Sequence, residues 1–307
     1  MLVTAADLAP EALALLSDYE IVYAGKAPAE QDIVELCRIH NPIAIIVRYS
    51  KVGAQAMDAA PSLRVISKHG SGTDTIDKMA AEARNIRVVA AVGANAAAVA
   101  EQTFALLLAC AKSVVELNAR MHAGHWDKAT HKSLELNGRT LGLVGLGEIG
   151  VRVAEIARAV NMRVIAFDPY ARNFPDHVKQ VSLEELFHES DVISLHCPLT
   201  DENRHLINAE TLTRCRRGVI VINTARGGLI DEAALLSAVR SGRVMAAGLD
   251  SFSVEPMAAG HDFQGEQNII LSPHVGGVTR AAYVKMGVAA AKNLLAVLEN
   301  RAQVSRR

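Results

Sequence analysis

The sequence is sparing with cysteine and aromatic residues, and it carries no excess charge of either sign. Its four cysteines (Cys37, Cys110, Cys197, Cys215) are scattered and form no C-x-x-C pair. That excludes a disulfide framework and reads as the reduced thiols of a cytoplasmic protein. Lys and Arg number 32 against 33 Asp and Glu, a formal net charge of −1. Without a basic excess there is no electrostatic case for a nucleic-acid partner. The first 11 residues lack a basic segment followed by an apolar one, so no secretory signal is expected. The most apolar long stretch, residues 96–117, is interrupted by Glu101, Gln102, Lys112 and Glu116. It reads as one long buried helix, extending to about Met121, and no membrane partner is expected. Low-complexity tracts and short-period repeats are absent.

What is present is a chain that is half apolar and 307 residues long, enough for about two domains with separate cores. Over residues 1–95 helical patterns (10–19, 29–40) alternate with short apolar runs (19–24, 43–47, 63–67, 86–90). Such alternation predicts a parallel sheet with helices on both faces. A break near 91–96, with Gly93 and Asn95, marks a crossing between domains. Beyond it come strand patterns at 140–144, 163–167, 191–196, 219–223, 244–249 and 269–271, helical ones at 151–160, 182–187 and 231–240, and a final helix over 280–299. The expected architecture is α/β with two doubly wound parallel-sheet domains. Residues 1–95 with 278–307 form a flavodoxin-like domain, and residues 96–277 are inserted as a nucleotide-binding Rossmann domain.

The central stretch is TLGLVGLGEIG, residues 140–150. An apolar strand pattern breaks at Gly145-x-Gly147-x-x-Gly150, and Val153, Ile156, Ala157 and Val160 then share one helical face. Gly145 permits the tight turn, Gly147 admits a pyrophosphate close to the backbone, and Gly150 lets the helix approach the strand. Asp168 follows the next strand, 18 residues after Gly150. A carboxylate there accepts the ribose hydroxyls and repels a 2′-phosphate, so the expected cofactor is NAD and not NADP.

Other polar residues also follow apolar runs. Glycines in Lys68-His69-Gly70-Ser71-Gly72-Thr73-Asp74 can turn backbone N–H groups to a carboxylate, while a plain βα turn fits the same residues. Arg48, read alone, is a solvated cation. Pro198, Arg226, Asp250 with Glu255, and His274 all follow strands of the inserted unit. In a doubly wound sheet such positions gather at one crevice. A guanidinium can hold a carboxylate in a forked geometry and polarise the neighbouring carbonyl. A histidine can deliver a proton near neutral pH, and a carboxylate on its other ring nitrogen fixes the tautomer and favours the acid form. Trp126, the only tryptophan, lies in a polar arm and suggests a subunit contact, with packing inside the chain as the alternative. His122, His125, Asp127 and His131 match no common zinc spacing, and no metal is expected.

Six motifs in order resemble the D-isomer-specific 2-hydroxyacid dehydrogenases, the family that includes D-3-phosphoglycerate dehydrogenase and glyoxylate/hydroxypyruvate reductase. They are KHGSGTDTID (68–77), the glycine motif with Asp168, HCPLT (196–200), NTARGGLIDE (223–232), DSFSVEP (250–256) and SPHVGG (272–277). The resemblance implies a hydride transfer with Arg226 binding the substrate carboxylate and carbonyl, His274 as acid/base, and Glu255 as its partner. The cofactor-binding set it implies is Gly145, Gly147, Glu148, Ile149, Gly150, Asp168, Pro198, Thr224, Ala225, Asp250, His274 and Gly276. For the substrate it implies Arg48, Lys68, Ser71 and Gly72 beside Arg226 and His274. It further implies a homodimer formed through the nucleotide-binding domain and a cleft between domains that closes on ligand. The expected substrate is a small 2-keto acid such as glyoxylate or hydroxypyruvate. A C3 dianion of the phosphoglycerate type stays open, because Arg48 and Lys68 are both cations. Two rivals are a non-enzymatic NAD-sensing corepressor, disfavoured by the intact Arg226, Glu255 and His274, and a formate dehydrogenase, disfavoured by glutamate at 255.

Overall fold

The computed structural model describes residues 1–304. Its elements run β1 (Leu2–Val3), α1 (Pro10–Leu15), β2 (Val22–Tyr23), α2 (Glu30–His40), β3 (Ala44–Val47), α3 (Ala54–Asp58), β4 (Val65–Lys68), α4 (Lys78–Ala83) and β5 (Arg87–Ala90). Then follow α5 (Ala96–Lys112), α6 (Val114–His122), β6 (Thr140–Val144), α7 (Glu148–Ala159), β7 (Arg163–Phe167), β8 (Val178–Gln180), α8 (Leu183–Glu189) and β9 (Val192–Leu195). The chain closes with α9 (Ala209–Arg214), β10 (Val219–Asn223), α10 (Glu232–Arg240), β11 (Val244–Leu249), β12 (Ile269–Leu271) and α11 (Arg280–Val304). Two compact units result. One combines residues 1–95 with the segment from Val278 onward, and the other spans Ala96–Gly277.

The first unit holds a parallel sheet of order β2-β1-β3-β4-β5. Successive strand residues point to opposite faces. Leu2, Ile45, Val47 and Ile66 pack on one side with Ile33, Val34 and Cys37 of α2. Val3, Ala44, Ile46 and Val65 pack on the other with Ala12 of α1 and Ala290, Ala291 and Leu294 of α11. Because helices cover both faces, the strands read as continuous apolar runs. Two hydrogen bonds tie α11 to the sheet, Ser67 Oγ to the Ala290 carbonyl at 2.8 Å and Asn293 Nδ2 to the Ala90 carbonyl at 2.9 Å.

The second unit has seven parallel strands in the order β12-β11-β10-β9-β6-β7-β8. The order reverses direction between β6 and β9, which is the topological switch point where nucleotides bind in such sheets. One face packs Leu141, Leu143, Val164 and Ile220 against Phe104 and Leu107 of α5 and Val153 and Ala157 of α7. The other packs Val144, Ile193, Val221 and Leu249 against Leu186 of α8 and Leu235 of α10.

Three expectations are corrected. The helix expected over 96–121 is two helices, because Ser113 takes a left-handed φ of +50° and the axis bends by 61°. The reason lies in packing, since α5 is held in the core while all of α6 is exposed or half-buried. The helix expected over 10–19 ends at Leu15, ahead of Ser17 and Asp18, whose side chains compete with helical bonding. The strand expected over 19–24 has only two paired residues, and its partner β1 at the chain start is itself two residues long, too short to show a strand pattern in the sequence.

Candidate active site

At the end of β6, Gly145 adopts φ +98°, and a Cβ there would lie 2.8 Å from the His196 backbone. A Cβ at Gly150 would come within 2.4 Å of the Gly145 carbonyl oxygen. At Gly147, by contrast, a Cβ would meet nothing within 4 Å among the described residues. Gly147 is the N-cap of α7 and brings no capping side chain, so the first-turn N–H groups, those of Glu148 and Ile149 included, are available to an anion. Asp168 follows β7 directly. Its Oδ2 accepts the Leu146 N–H at 2.7 Å, and its Oδ1 accepts those of Tyr170 and Ala171 at 2.8 and 3.0 Å. An uncapped helix start, space at the second glycine and a fixed carboxylate at the next strand end fit a dinucleotide. Sequence reasoning missed His196, which backs this turn. Its Nε2 lies 2.9 Å from Ser194 Oγ, and burial pushes its pKa down to about 4.

After β9, Asn203 staples the Pro198 loop, with Nδ2 donating to the Pro198 carbonyl and Oδ1 accepting the Thr200 N–H, both at 2.7 Å. After β10, the buried Asn223 accepts the Ala225 N–H at 3.0 Å and donates to the Arg226 carbonyl at 2.9 Å, fixing the Thr224-Ala225-Arg226 turn. Thr224 Oγ1 is 2.9 Å from Thr103 Oγ1 of α5. Arg226 is half-buried, and its Nη1 donates to the Ala225 carbonyl at 2.7 Å. Gly227 brings this turn against the next loop, because a Cβ there would overlap the Phe252 carbonyl carbon at 1.9 Å.

That next loop carries Glu255. Its Oε1 accepts the Phe252 N–H at 2.9 Å, and its Oε2 lies 2.7 Å from His274 Nδ1. Glu232 holds the same loop by accepting from the Ser253 N–H at 2.8 Å and the Ser253 hydroxyl at 2.7 Å. His274 sits at φ +53°, a left-handed conformation that costs a non-glycine residue free energy and needs support. Asp250, 1% exposed, supplies it. Its Oδ1 accepts the Ser272 hydroxyl at 2.5 Å and the Val275 N–H at 2.9 Å, while Oδ2 accepts the Gly276 N–H at 2.7 Å. The approach is close enough that a Cβ on Gly276 would stand 2.9 Å from Asp250 Oδ2. Arg226, Glu255 and His274 thus lie on loops of one unit, and direct contacts link Arg226's turn to Glu255's loop and Glu255 to His274.

The remaining site residues belong to the first unit. Arg48 is not the solvated cation its position suggests. Its side chain is 14% exposed and its Nη1 lies 2.7 Å from Asp7 Oδ1. Asp7 Oδ1 also accepts the Tyr283 hydroxyl at 2.9 Å. The guanidinium stands 5.1 and 4.9 Å from the ring centroids of Tyr49 and Tyr283. Lys68 is the buried last residue of β4, and its Nζ donates to the Arg48 carbonyl and, at 3.3 Å, to Thr75 Oγ1. Ser71 is exposed and Gly72 half-buried in the loop after β4. Trp126 is 75% exposed, which removes the packed-inside-the-chain alternative. Asp127 is engaged by Arg120 through two bonds of 2.6 and 2.7 Å. Among the described residues no group of three or more His, Cys, Asp and Glu side chains is placed to hold a metal ion.

Residues 104–276 match the family model for the NAD binding domain of D-isomer specific 2-hydroxyacid dehydrogenases. Hydroxypyruvate reductase of Thermotoga maritima is 41% identical over 282 residues, covering 91% of this chain and 92% of that protein. D-3-phosphoglycerate dehydrogenase of Archaeoglobus fulgidus is 38% identical over 256 residues, 82% of this chain but 49% of its own, so the chain spans about half the length of that relative. Among solved structures, a glyoxylate reductase from Paecilomyes thermophila superposes with a TM-score of 0.87 at 30% identity, over 97% of this chain and 94% of its own. With more than half of its length inside the family model and a relative above 40% identity along nearly all of it, the chain belongs to the D-isomer specific 2-hydroxyacid dehydrogenase family and is an NAD(P)-binding oxidoreductase acting on CH–OH groups.

Proposed function

We propose that the chain is an NADH-dependent reductase of small 2-keto acids, with glyoxylate or hydroxypyruvate as substrate. The observation that carries this reading is the 2.7 Å pairing of His274 Nδ1 with Glu255, on a loop packed against the Arg226 turn. Residues 96–277 take the NAD, with Gly145, Gly147 and Gly150 at the pyrophosphate and Asp168 at the ribose. Residues 1–95 with 278–307 take the substrate role on Ser71 and Gly72. The Asp168 carboxylate supports NAD over NADP, since a 2′-phosphate there would face a like charge. When bound, the reduced nicotinamide supplies the hydride. Arg226 grips the substrate carboxylate and polarises the 2-keto oxygen. His274, protonated, gives its Nε2 proton to the oxygen as negative charge develops there. Glu255, accepting from Nδ1, holds the ring's tautomer and balances the imidazolium. Asp250 fixes the loop on which His274 rides. The product is the 2-hydroxy acid, and His274 regains its proton from water.

Exposed Val114, Val115, Met121 and Trp126 on α6 and the arm after it support a homodimer through this unit. The buried free cysteines Cys37, Cys110 and Cys215 suit a cytoplasmic setting. The phosphoglycerate-type alternative draws on Arg48 and Lys68, and both already engage groups of this chain. The test is oxidation of NADH and of NADPH with glyoxylate, hydroxypyruvate, pyruvate, phosphohydroxypyruvate and sulfopyruvate. NADH-linked turnover highest with glyoxylate or hydroxypyruvate is expected. Tight NADH binding without turnover on any of them would overturn the reading in favour of an NAD sensor.

A further inference from the structure

We propose that Asp7 is a specificity-determining residue: by pairing with Arg48 it makes the first unit select 2-keto acids with no second anionic group. The inference rests on the reductase reading and adds the charge class of the substrate. It starts from three loops that lie side by side at the carboxyl ends of β1, β3 and β4, where ligands of parallel sheets gather. Thr4 N–H bonds the Ile46 carbonyl at 2.9 Å, Arg48 N–H bonds Thr4 Oγ1 at 3.1 Å, and His69 N–H bonds the Val47 carbonyl at 2.9 Å. Asp7, Arg48 and His69 therefore arise from neighbouring strands.

The charges on these loops decide what they can accept. Lys68 is buried and turned back onto the Arg48 carbonyl and Thr75. His69 is uncharged at neutral pH, because burial and then the nearby Arg48 push its pKa down to about 4. The loop after β3 carries Arg48 and the exposed Lys51, and of the two the guanidinium of Arg48 is the better shaped for a phosphate or a second carboxylate. It is instead bonded to Asp7 at 2.7 Å and flanked by the Tyr49 and Tyr283 rings. Asp7 keeps its charge, since the Tyr283 hydroxyl and then Arg48 hold its carboxyl below the ordinary carboxylate range. The Asp7 side chain is 68% exposed against 14% for Arg48, so an anion approaching from solvent meets the Asp7 carboxylate ahead of the guanidinium. A hydrogen or a neutral hydroxymethyl group meets a pair with no net charge. Nothing in the sequence pattern connects these residues, since Arg48 lies 41 positions from Asp7 and Tyr283 lies 276 positions away.

The experiment compares kcat/KM for hydroxypyruvate and phosphohydroxypyruvate in wild type, Asp7→Asn, Tyr283→Phe and the double variant Asp7→Asn/Arg48→Gln. Asp7→Asn removes the charge and keeps the shape. It is expected to raise the ratio of phosphorylated to unphosphorylated substrate by at least about tenfold. Tyr283→Phe keeps the Asp7 charge and is expected to leave the ratio within about twofold of wild type, and the double variant is expected to fall back to it. A ratio unmoved by Asp7→Asn, or a rise that survives loss of Arg48, would overturn the proposal. Thermal-shift titration with D-glycerate and D-3-phosphoglycerate reads the same selectivity without turnover. Loss of turnover in wild type would therefore sink the reductase reading alone, while the binding ratio still decides on Asp7.

Discussion

Glu255 and His274 face each other at 2.7 Å, carboxylate oxygen Oε2 to ring nitrogen Nδ1, from two loops that follow neighbouring strands. Neither loop is left to its own stiffness. Glu232 ties down Ser253 two positions before Glu255, and Asp250 gathers the Ser272 hydroxyl and the N–H groups of Val275 and Gly276 around His274. The pair is thus set by backbone restraints on both sides, which is what a proton-transfer group needs to hold one geometry.

Glu255→Gln tests the pair. Glu255 uses both oxygens as acceptors, one for Phe252 N–H and one for His274, whereas a glutamine has a single acceptor oxygen and no charge. Hydroxypyruvate reduction is expected to slow by about 100-fold in kcat. NADH affinity, read by fluorescence titration, is expected to stay within about twofold of wild type.

Asp250→Ala tests the support. The substitution leaves two backbone N–H groups and a hydroxyl without their acceptor beside a residue that is 1% exposed. A stability loss of about 3 kcal/mol is expected in urea unfolding, and kcat is expected to fall with it as His274 loses its fixed position. A stable variant with full turnover would remove Asp250 from the account.

Two glycines separate folding from cofactor binding. A Cβ on Gly150 would stand 2.4 Å from the Gly145 carbonyl oxygen, so Gly150→Ala is expected to destabilise the protein by about 1–3 kcal/mol. A Cβ on Gly147 has open space around it, so Gly147→Ala is expected to leave the unfolding midpoint in place and weaken NADH binding. Calorimetry and NADH titration on the same samples distinguish the two.

Acid stability follows from His69 and His196, each pushed down to about 4, His69 mainly and His196 solely by burial. Between pH 4 and the unfolded value of about 6.5, the unfolded chain binds these protons and the folded chain does not. Stability is therefore complete above that window and falls as pH drops through it, by about 1.4 kcal/mol per unit for each histidine at most. His69→Phe is expected to flatten this slope in urea midpoints measured from pH 7 to 4.5, and an unchanged slope would refute the assignment.

Much of this was legible in the sequence. Strands 140–144, 163–167, 219–223, 244–249 and 269–271 begin and end where the apolar runs do, because both faces of a parallel sheet are covered and nothing polar blurs the pattern. The glycine turn, Asp168, Arg226, Glu255 and His274 stand out for the same reason, as interruptions just past such runs. β1 was invisible because two residues carry no periodicity, although it pairs with both β2 and β3. β8 was invisible because two of its three residues are exposed at an edge. The break at Ser113 has no glycine or proline to announce it. Asp7 and the loop-holding role of Asp250 depend on partners distant in sequence, which only the folded chain brings together.

The measurement that bears most directly on the account is turnover and NADH affinity in His274→Asn. Asparagine tolerates the left-handed backbone at this position and keeps a donor for Glu255, but it cannot supply a proton as an acid. The account predicts a loss of kcat between about 100- and 10,000-fold, with the NADH dissociation constant within about twofold of wild type. Retained turnover, or losses of turnover and NADH affinity in equal proportion, would contradict it.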